Sequence, residues 1–250
     1  MSPRQVARKL KWLLAAAAWR VRWERRFVCH LERRGIREVR PHSWCSWALG
    51  VRLYLAQTPA GERVMVKVFD QAAPAELEAR GLSRMQGRGL APAVVAHEIA
   101  PLPYVVLTYV GQDDLSSYLV HADQVEVTRM AYRLVEIVDG LHAARLVHRD
   151  LRPPNLLVRR EEGGSSMVLI DFATSIDPTR CDEIDRVRTE GAKALRVLGD
   201  AYRASADLWD DAASALLVLE RDLGPHMERR HRETCTASLK KRVGRLTWPP

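Results

Sequence analysis

Residues 148–155, which read His-Arg-Asp-Leu-Arg-Pro-Pro-Asn, constrain the fold of this chain more than any other stretch. Two consecutive prolines stiffen the segment, and it carries a carboxylate, Asp150, and a carboxamide, Asn155, five residues apart. A second carboxylate, Asp171, directly follows the apolar run at 167–170. Because Mg²⁺ prefers oxygen ligands of these kinds, the pattern is typical of metal-assisted phosphoryl transfer.

These residues resemble the catalytic loop and the metal loop of the eukaryotic-like protein kinase superfamily, H-R-D-L-x-x-x-N and D-F-G. The first pattern is matched at every fixed position, whereas the second departs at its last residue, where Ala173 replaces glycine. The resemblance covers about residues 40–225. It implies an α+β, two-lobed protein-kinase-like fold, with a small β-rich N-terminal lobe and a reduced helical C-terminal lobe.

A lysine-bearing strand and a glutamate-bearing helix precede the loop, in the order that the resemblance requires. Residues 64–69 alternate like a strand and contain Lys67, as the V-A-I-K strand of kinases does. Residues 75–85 read as a helix, and Glu78 is preferred over Glu76 because an apolar residue follows it four positions later. The resemblance implies a Lys67–Glu78 ion pair that holds the lysine against the α- and β-phosphates of ATP.

The resemblance places the nucleotide contacts in two further segments. Residues 103–110 are similar to the strand and hinge that join the kinase lobes, so the backbone of Thr108 and Val110 is expected to bind adenine. The phosphate-covering loop, G-x-G-x-x-G in kinases, corresponds to residues 45–50, where only Gly50 is kept. This departure bears on nucleotide affinity and geometry, since glycines let backbone N–H groups approach phosphates closely.

The resemblance also implies a role for each residue of the loop. Asp150 accepts or orients the proton of the acceptor hydroxyl, and Asn155 and Asp171 hold Mg²⁺ on the phosphates. Arg152 stands where protein kinases usually carry a lysine, and it keeps a positive charge near the γ-phosphate. His148 is expected to pack and hydrogen-bond within the loop. The implied cofactors are ATP and Mg²⁺.

The sequence around the loop predicts a compact helical region. Asp123 and Glu126 have capping-box spacing at the start of an amphipathic helix that leads into the loop. Residues 161–164 read as a turn between two short strands, and helices are expected at about 182–202 and 205–223. No Ala-Pro-Glu follows the metal loop, so the peptide platform of typical protein kinases is expected to be reduced or missing.

Four regions follow from this organisation. We expect a basic, tryptophan-containing helical arm at residues 1–40, an N-terminal lobe with hinge at 41–110, a C-terminal lobe at 111–225 and a basic tail at 226–250. The arm holds 12 Lys or Arg against 3 Glu, whereas the whole chain has a net charge of +8. The basic excess therefore lies in the arm.

The arm is open to two interpretations. Trp12, Trp19 and Trp23 fall on one stripe of a helix predicted at about 6–31, which can lie at a membrane surface through residues 1–30. Alternatively, the tryptophans pack on the N-terminal lobe and the arginines are solvated. The apolar core is too short to span a bilayer. Nucleic acid ranks lower as a partner, because no recognised nucleic-acid motif accompanies the charge.

Three functions are compatible with these patterns. The complete H-R-D-L-x-x-x-N favours a kinase acting on Ser or Thr of proteins. The short C-terminal lobe and the basic arm favour a kinase for a lipopolysaccharide-core sugar or another small-molecule hydroxyl, since RIO-type and lipopolysaccharide-core kinases have compact lobes. The degenerate glycine loop favours a pseudokinase binding module, although the lysine, glutamate, asparagine and two aspartates of the kinase set are all kept.

The cysteine pattern indicates a compartment. Neither C-x-x-C spacing nor a secretory leader is visible, so we expect free thiols in a reducing environment. The cysteines are Cys29, Cys45, Cys181 and Cys235. We therefore expect a cytoplasmic protein, peripheral at the inner membrane face if the arm binds lipid.

Overall fold

The computed structural model describes residues 19–43, 50–161, 163–183 and 210–245. The chain divides into two compact units, one within Met1–Glu76 and Val94–Tyr109, the other within Leu77–Ala93 and Val110–Pro250. The first unit holds the larger sheet and the second holds most of the helices, which confirms the α+β class predicted from the sequence.

An antiparallel five-stranded sheet forms the centre of the first unit. Its strands are β1 (Arg37–Ser43), β2 (Val51–Gln57), β3 (Arg63–Phe69), β4 (Val94–Glu98) and β5 (Tyr104–Thr108). They are adjacent in the order β1-β2-β3-β5-β4, so the predicted lysine strand is central. Because side chains alternate along a strand, Val66 and Val68 are buried on one face of β3 and Lys67 projects from the other.

The N-terminal helix packs on the valine face of this sheet. A π-helical turn, Arg20–Glu24, leads into α1 (Arg25–Arg33). Trp19 and Phe27 are buried in one cluster with Tyr54, and the Phe27 and Tyr54 rings lie 5.8 Å apart. Trp19 Nε1 donates a 2.8 Å hydrogen bond to the Tyr54 hydroxyl. The described part of the arm is therefore integral to the core of the first unit.

The three tryptophans of the arm do not share one environment. Trp19 is 7% exposed and Trp23 is 44% exposed, while Trp12 lies outside the described residues. Packing on the N-terminal lobe is thus confirmed for Trp19 alone. Trp19 directly precedes the π-helical turn and Trp23 lies within it, so regular α-helical spacing does not apply between the two residues.

Removal of the Tyr54 hydroxyl tests whether this helix is part of the core. Tyr54→Phe leaves Trp19 Nε1 buried without its acceptor, so we expect the free energy of unfolding to fall by about 1–3 kcal/mol in urea denaturation. Tyr132→Phe is the matched control, because that ring is 40% exposed. Equal stability of the two variants would contradict a packed N-terminal helix.

The second unit is built around one long helix, α4 (Gln124–Ala143). α2 (Ala72–Met85) begins in the first unit and ends in the second. The second unit also contains α3 (Leu115–Leu119), α5 (Asp211–Val218), α6 (Arg229–Lys240) and a hairpin of β6 (Leu156–Glu161) with β7 (Gly164–Leu169). α4 contacts β7, α5 and α6. Its apolar face is completely buried and includes Met130, Leu134, Ile137, Val138 and Leu141.

Several predicted elements are confirmed with small shifts in their bounds. α4 begins where the capping box predicts, since Asp123 Oδ1 accepts a 2.8 Å hydrogen bond from the Glu126 N–H. The helix expected at 75–85 starts three residues earlier, and the hairpin turn falls between β6 and β7 as predicted. The helix expected at 182–202 lies almost entirely outside the described residues.

The C-terminal region differs from the sequence expectation. The helix expected at 205–223 is described from Asp211 onward, and it continues through a π-helical turn and a 3₁₀ turn to His226. No element was expected after residue 226, yet α6 occupies Arg229–Lys240 and packs on α4 and α5. Only Cys235 and Leu239 of this helix are buried, and the helix contains few apolar residues from which a sequence pattern could identify it.

Two further expectations concern membranes and thiols. Among the residues described, no helix is both long and apolar enough to cross a bilayer. Cys29, Cys181 and Cys235 are free thiols, as predicted, and Cys45 lies outside the described residues.

Candidate active site

The backbone at the start of the loop 148–155 is hydrogen-bonded to the side chain of Asp211, the first residue of α5. Asp211 Oδ2 accepts a 2.6 Å hydrogen bond from the His148 N–H, and Oδ1 accepts a 3.0 Å bond from the Arg149 N–H. Burial raises the pKa of this carboxyl to about 7, while the two N–H donors favour its ionised form. Arg149 adopts φ +73°, a conformation that ordinary residues avoid and that these two bonds hold in place.

The role of Asp211 was not predicted from the sequence. Its partners lie 63 and 62 positions earlier in the chain, and such a separation leaves no local pattern. The only sequence signal is a pair of acidic residues, Asp210 and Asp211, at the head of an apolar helix. One of them is the ordinary N-cap, because Asp210 Oδ1 accepts the Ala212 N–H at 2.9 Å.

His148 connects the loop to the metal loop. Its Nε2 lies 3.0 Å from the Ile170 carbonyl oxygen, and its Nδ1 accepts a 3.3 Å bond from the Asp150 N–H. These partners assign the neutral tautomer with the proton on Nε2. The ring is fully buried and meets Phe172 edge to face at 4.8 Å. His148 is thus a packing and hydrogen-bonding residue, as expected from the sequence.

Asp150 is the buried carboxylate of the loop, and its two oxygens have different partners. Oδ2 accepts a 2.7 Å bond from Asn155 Nδ2, and Oδ1 lies 2.9 Å from Arg152 Nε. Burial raises the pKa of Asp150 to about 6; Arg152 opposes this rise, and the negative charge of Asp171 adds to it. A carboxylate with a raised pKa is a better proton acceptor near neutral pH than an ordinary aspartate.

Asn155 and Asp171 provide oxygens suited to Mg²⁺. The Asn155 amide nitrogen also donates to the Asp150 carbonyl oxygen at 2.8 Å, which fixes the amide and turns its oxygen away from Asp150. The Ile170 N–H donates to the Asn155 carbonyl oxygen at 2.9 Å, and Asp171 follows in the left-handed conformation at φ +69°.

The donor set fits Mg²⁺ rather than a transition metal. One carboxylate and one amide oxygen suit a small hard cation that keeps phosphate and water as its remaining ligands. Within the described ranges, no group of three or more His, Cys, Asp or Glu is placed to hold a metal by itself.

Ala173 occupies the position where kinases carry glycine, and its conformation explains why alanine is tolerated. The residues Phe172–Thr174 form a 3₁₀ turn, and Ala173 is not among the described residues with positive φ. A left-handed glycine is therefore not required here.

Restoring the glycine is expected to change little. Ala173→Gly should keep phosphate transfer within about twofold of wild type and lower the free energy of unfolding by about 0.5–1 kcal/mol, because glycine gains entropy in the unfolded chain. Steady-state kinetics and thermal unfolding check both numbers. A tenfold rise in turnover would show instead that alanine restricts the metal loop.

Gly81 of α2 is a second residue that sequence analysis missed. A Cβ at this position would lie 2.7 Å from Ser175 Oγ and 2.9 Å from Phe172 Cβ, closer than packed atoms approach. The missing side chain therefore lets α2 lie directly on the metal loop. The only signal in the sequence is a glycine inside a predicted helix, which often marks close packing.

The predicted nucleotide lysine and its glutamate partner are both buried. Lys67 is 8% exposed and lies on β3, with its ammonium 5.5 Å from the Phe69 ring centre. Glu78 is completely buried on α2. Lys67 belongs to the first unit and Glu78 to the second, and their ion pair stays a prediction. Buried charges are rare unless they are paired, so both burials agree with a functional role.

The remaining predicted nucleotide residues occupy turns and a strand end. Gly50 has φ +72°, and a Cβ there would lie 3.0 Å from Asp70 Oδ2, so the turn before β2 itself requires glycine. Thr108 is the exposed last residue of β5, and Val110 is the first residue of the second unit after it. Their adenine contacts stay predictions, and residues 45–49 of the glycine loop lie outside the described residues.

Comparison with solved structures supports the fold. The structure of the Cydia pomonella granulovirus kinase, PK-1, matches with a TM-score of 0.56 at 15% identity, covering 84% of this chain and 77% of that chain. At this level of identity the likeness shows the fold alone, and it confirms the protein-kinase-like architecture.

Curated relatives and a family model extend the comparison. Calcium/calmodulin-dependent protein kinase type 1 of Macrobrachium nipponense is 26% identical over 185 residues, 68% of this chain and 52% of that protein. Serine/threonine-protein kinase AfsK of Streptomyces coelicolor is 29% identical over 139 residues, 51% of this chain and 17% of that protein. The chain thus spans about half, or less, of these relatives. The protein kinase domain model matches residues 91–236, more than half of the chain, and this chain belongs to the protein kinase domain family.

Proposed function

We propose that this protein transfers the γ-phosphate of ATP to a hydroxyl group, in the first place to serine or threonine of a protein substrate. The observation that carries the proposal is the position of Asp150. Its carboxylate contacts Asn155 and Arg152, and the negative charge of Asp171 helps to raise its pKa. Both curated relatives described above are named as protein kinases, and AfsK is named as a serine/threonine-protein kinase, which supports the acceptor class.

The residues of the loop divide the chemistry among them. Asp150 accepts the proton of the acceptor hydroxyl as the oxygen attacks, a role worth about 10²–10⁴-fold in rate. Arg152 lies against Asp150 and places a guanidinium charge where negative charge develops on the transferred group. Asn155 and Asp171 would hold Mg²⁺, which supplies positive charge to the phosphate oxygens when it is bound with ATP.

The remaining predicted residues would bind the nucleotide. In this proposal Lys67, set by Glu78, contacts the α- and β-phosphates, and the backbone of Thr108 and Val110 contacts adenine. Burial of the lysine and of the glutamate supports the first assignment.

Labelled phosphate identifies the acceptor class. Wild type and Asp171→Asn would be incubated with γ-labelled Mg–ATP and three acceptors, namely the protein itself, a generic protein mixture and a membrane glycolipid extract. We expect label on serine or threonine in the wild-type reactions and its loss in the variant. Label confined to glycolipid would overturn the protein-acceptor proposal. No label, despite measured Mg–ATP binding, would favour a nucleotide-binding pseudokinase.

A sugar hydroxyl of lipopolysaccharide core, reached at the membrane surface, is the second candidate acceptor. The supporting observation is the solvent side of the N-terminal helix, where Trp23 is 44% exposed with the Arg26 guanidinium 5.9 Å from its ring centre, and Arg22, Arg25 and Arg33 are exposed. Exposed tryptophan beside basic groups suits an anionic lipid surface. This candidate places a cytoplasmic protein peripherally at the inner membrane face.

Sedimentation with vesicles tests the second candidate. Wild type should pellet with vesicles that contain anionic phosphatidylglycerol and not with neutral vesicles, and Trp23→Ala should weaken this binding. Equal recovery with both kinds of vesicle, or none with either, would remove the membrane argument.

A further inference from the structure

The segment that follows the metal loop is tied to α2 by two arginine–carboxylate pairs. Arg80 Nη2 lies 2.7 Å from Glu183 Oε2, and the second guanidinium nitrogen of Arg80 pairs with the other Glu183 oxygen. One helical turn later, Arg84 Nη2 lies 2.8 Å from Asp177 Oδ2. Because the two arginines are four residues apart, both lie on one face of α2.

The two carboxylates are buried, whereas the arginines reach them from a partly exposed helix face. The side chains of Glu183 and Asp177 are 4% and 9% exposed, against 30% and 33% for Arg80 and Arg84. Breaking such a pair is strongly destabilising, because removing one partner leaves an uncompensated buried charge.

Further hydrogen bonds fix the carboxylates to their own segment. Glu183 Oε2 accepts the Asp177 N–H at 2.9 Å, and Asp177 Oδ1 accepts the Thr179 N–H at 2.9 Å and its hydroxyl at 2.6 Å. Burial alone would raise the pKa of Asp177, but the hydrogen bonds from Thr179 and Arg84 lower it to about 2. Asp177 is therefore a permanent anion at physiological pH.

The hydroxyl groups near the metal loop are already engaged in or covered by this arrangement. Thr174 Oγ1 donates to the His148 carbonyl oxygen at 3.1 Å, the Thr179 hydroxyl bonds Asp177, and Ser175 is completely buried. A phosphate group orders a segment by pairing with arginines, but here carboxylates hold Arg80 and Arg84 already. An added dianion would meet negative charge.

We propose that Asp177 and Glu183, through Arg80 and Arg84, are built-in anions that hold α2 and the metal loop in the arrangement needed for phosphate transfer, without phosphorylation of the nearby hydroxyls. The four are positioning residues, and the inference rests on the proposed function. α2 carries Glu78 and packs on Phe172 through Gly81, so a shift of this helix moves the neighbours of Asp171.

Charge reversal tests the pairing directly. In Glu183→Arg the new guanidinium faces those of Arg80 and Arg180, which both pair with Glu183 in the wild type, and we expect kcat to fall by about 10–100-fold, because small misplacements of reacting groups are costly. The double variant Arg80→Glu/Glu183→Arg restores the pair with residue 80 but not the pair with Arg180, so it should recover most of the lost kcat. Glu183→Gln, which keeps size and hydrogen bonding, covers the case in which the reversed variant does not fold, and kcat should fall there too.

A matched pair on α6 serves as the control. Arg229 Nε lies 2.6 Å from Glu233 Oε1, and the two side chains are 84% and 61% exposed. Glu233→Arg should leave kcat within about twofold, since exposed pairs contribute little. Phosphatase treatment of wild type should likewise leave kcat unchanged, and loss of activity on this treatment would overturn the inference.

Hydrogen exchange keeps the test independent of catalysis. The amides of Ser175 and Ile176, directly after the metal loop, should exchange about tenfold faster in Glu183→Arg. Their rates should return toward those of wild type in the double variant. A wild type that transfers no phosphate would refute the proposed function, and exchange would still report the positioning. Unchanged exchange and kcat in Glu183→Arg, or no recovery in the double variant, would overturn the inference.

Discussion

Asp150→Asn is expected to lower kcat for phosphate transfer by about 10²–10⁴-fold and to leave the KM for ATP within about threefold. The substitution removes the proton acceptor but keeps its shape. An asparagine oxygen can still accept from Asn155 Nδ2, so the loop should stay folded. Thermal unfolding of the variant is the check on that point.

The control for Asp150→Asn is the same substitution at a carboxylate that lies away from the site. Asp139 of α4 is half-exposed and pairs with Arg242, so Asp139→Asn removes the same charge without touching the loop. Its kcat should stay within about twofold of wild type. If Asp150→Asn turned over as fast as Asp139→Asn, the assignment of the proton acceptor would be wrong.

Asp211→Asn is expected to produce the largest loss of stability, about 2–5 kcal/mol in the free energy of unfolding. The two oxygens of Asp211 each accept one buried backbone N–H, so an asparagine must turn its NH₂ group toward a donor. Leaving a buried donor without a partner costs about 1–3 kcal/mol, and the clash of two donors adds to it.

Asp210→Asn is the matched control for this variant. It keeps an oxygen for the N–H groups of Ala212 and Ala213 and loses only the bond from the Gly244 N–H at the protein surface. We expect about 0.5–1.5 kcal/mol for this loss. Denaturant titrations of both variants give the comparison, and equal destabilisation would show that Asp211 is not a special anchor of the loop.

The features of this fold that could be predicted from the sequence are those formed by residues close together in the chain. The capping box of α4 joins residues three positions apart, and the alternation in β3 needs only one strand, so both were predicted correctly. The Asp150–Asn155 contact also lies within a single loop. Each of these patterns can be recognised in a short window of sequence.

The features that sequence analysis missed depend on tertiary structure. Asp211 acts on residues more than sixty positions away, and Gly81 is needed only because α2 lies on the metal loop. α6 exposes most of its side chains, so its helical period carries little apolar signal. The tryptophan stripe assumed α-helical spacing, which the π-helical turn Arg20–Glu24 breaks.

Two non-glycine residues at the site keep left-handed conformations, and the surrounding bonds explain how. Arg149 at φ +73° is held by Asp211 and by its own guanidinium, which donates to the Thr174 carbonyl oxygen at 3.1 Å. Asp171 has φ +69°, and the residue before it is fixed by a backbone hydrogen bond from the Ile170 N–H to the Asn155 backbone carbonyl oxygen. Such conformations cost about 1–3 kcal/mol each and persist where the neighbouring structure over-determines them. Here they orient the proposed base and the proposed metal ligand.

Metal-dependent phosphate transfer with Asp150 as proton acceptor is tested most directly by comparing γ-phosphate transfer from labelled ATP by wild type and by Asp150→Asn, each with Mg²⁺ and with the metal chelated. We expect transfer by wild type with Mg²⁺ alone, and at most about one hundredth of that rate in the other three reactions. Equal transfer by the variant, transfer without metal, or none by a wild type that binds Mg–ATP would contradict it.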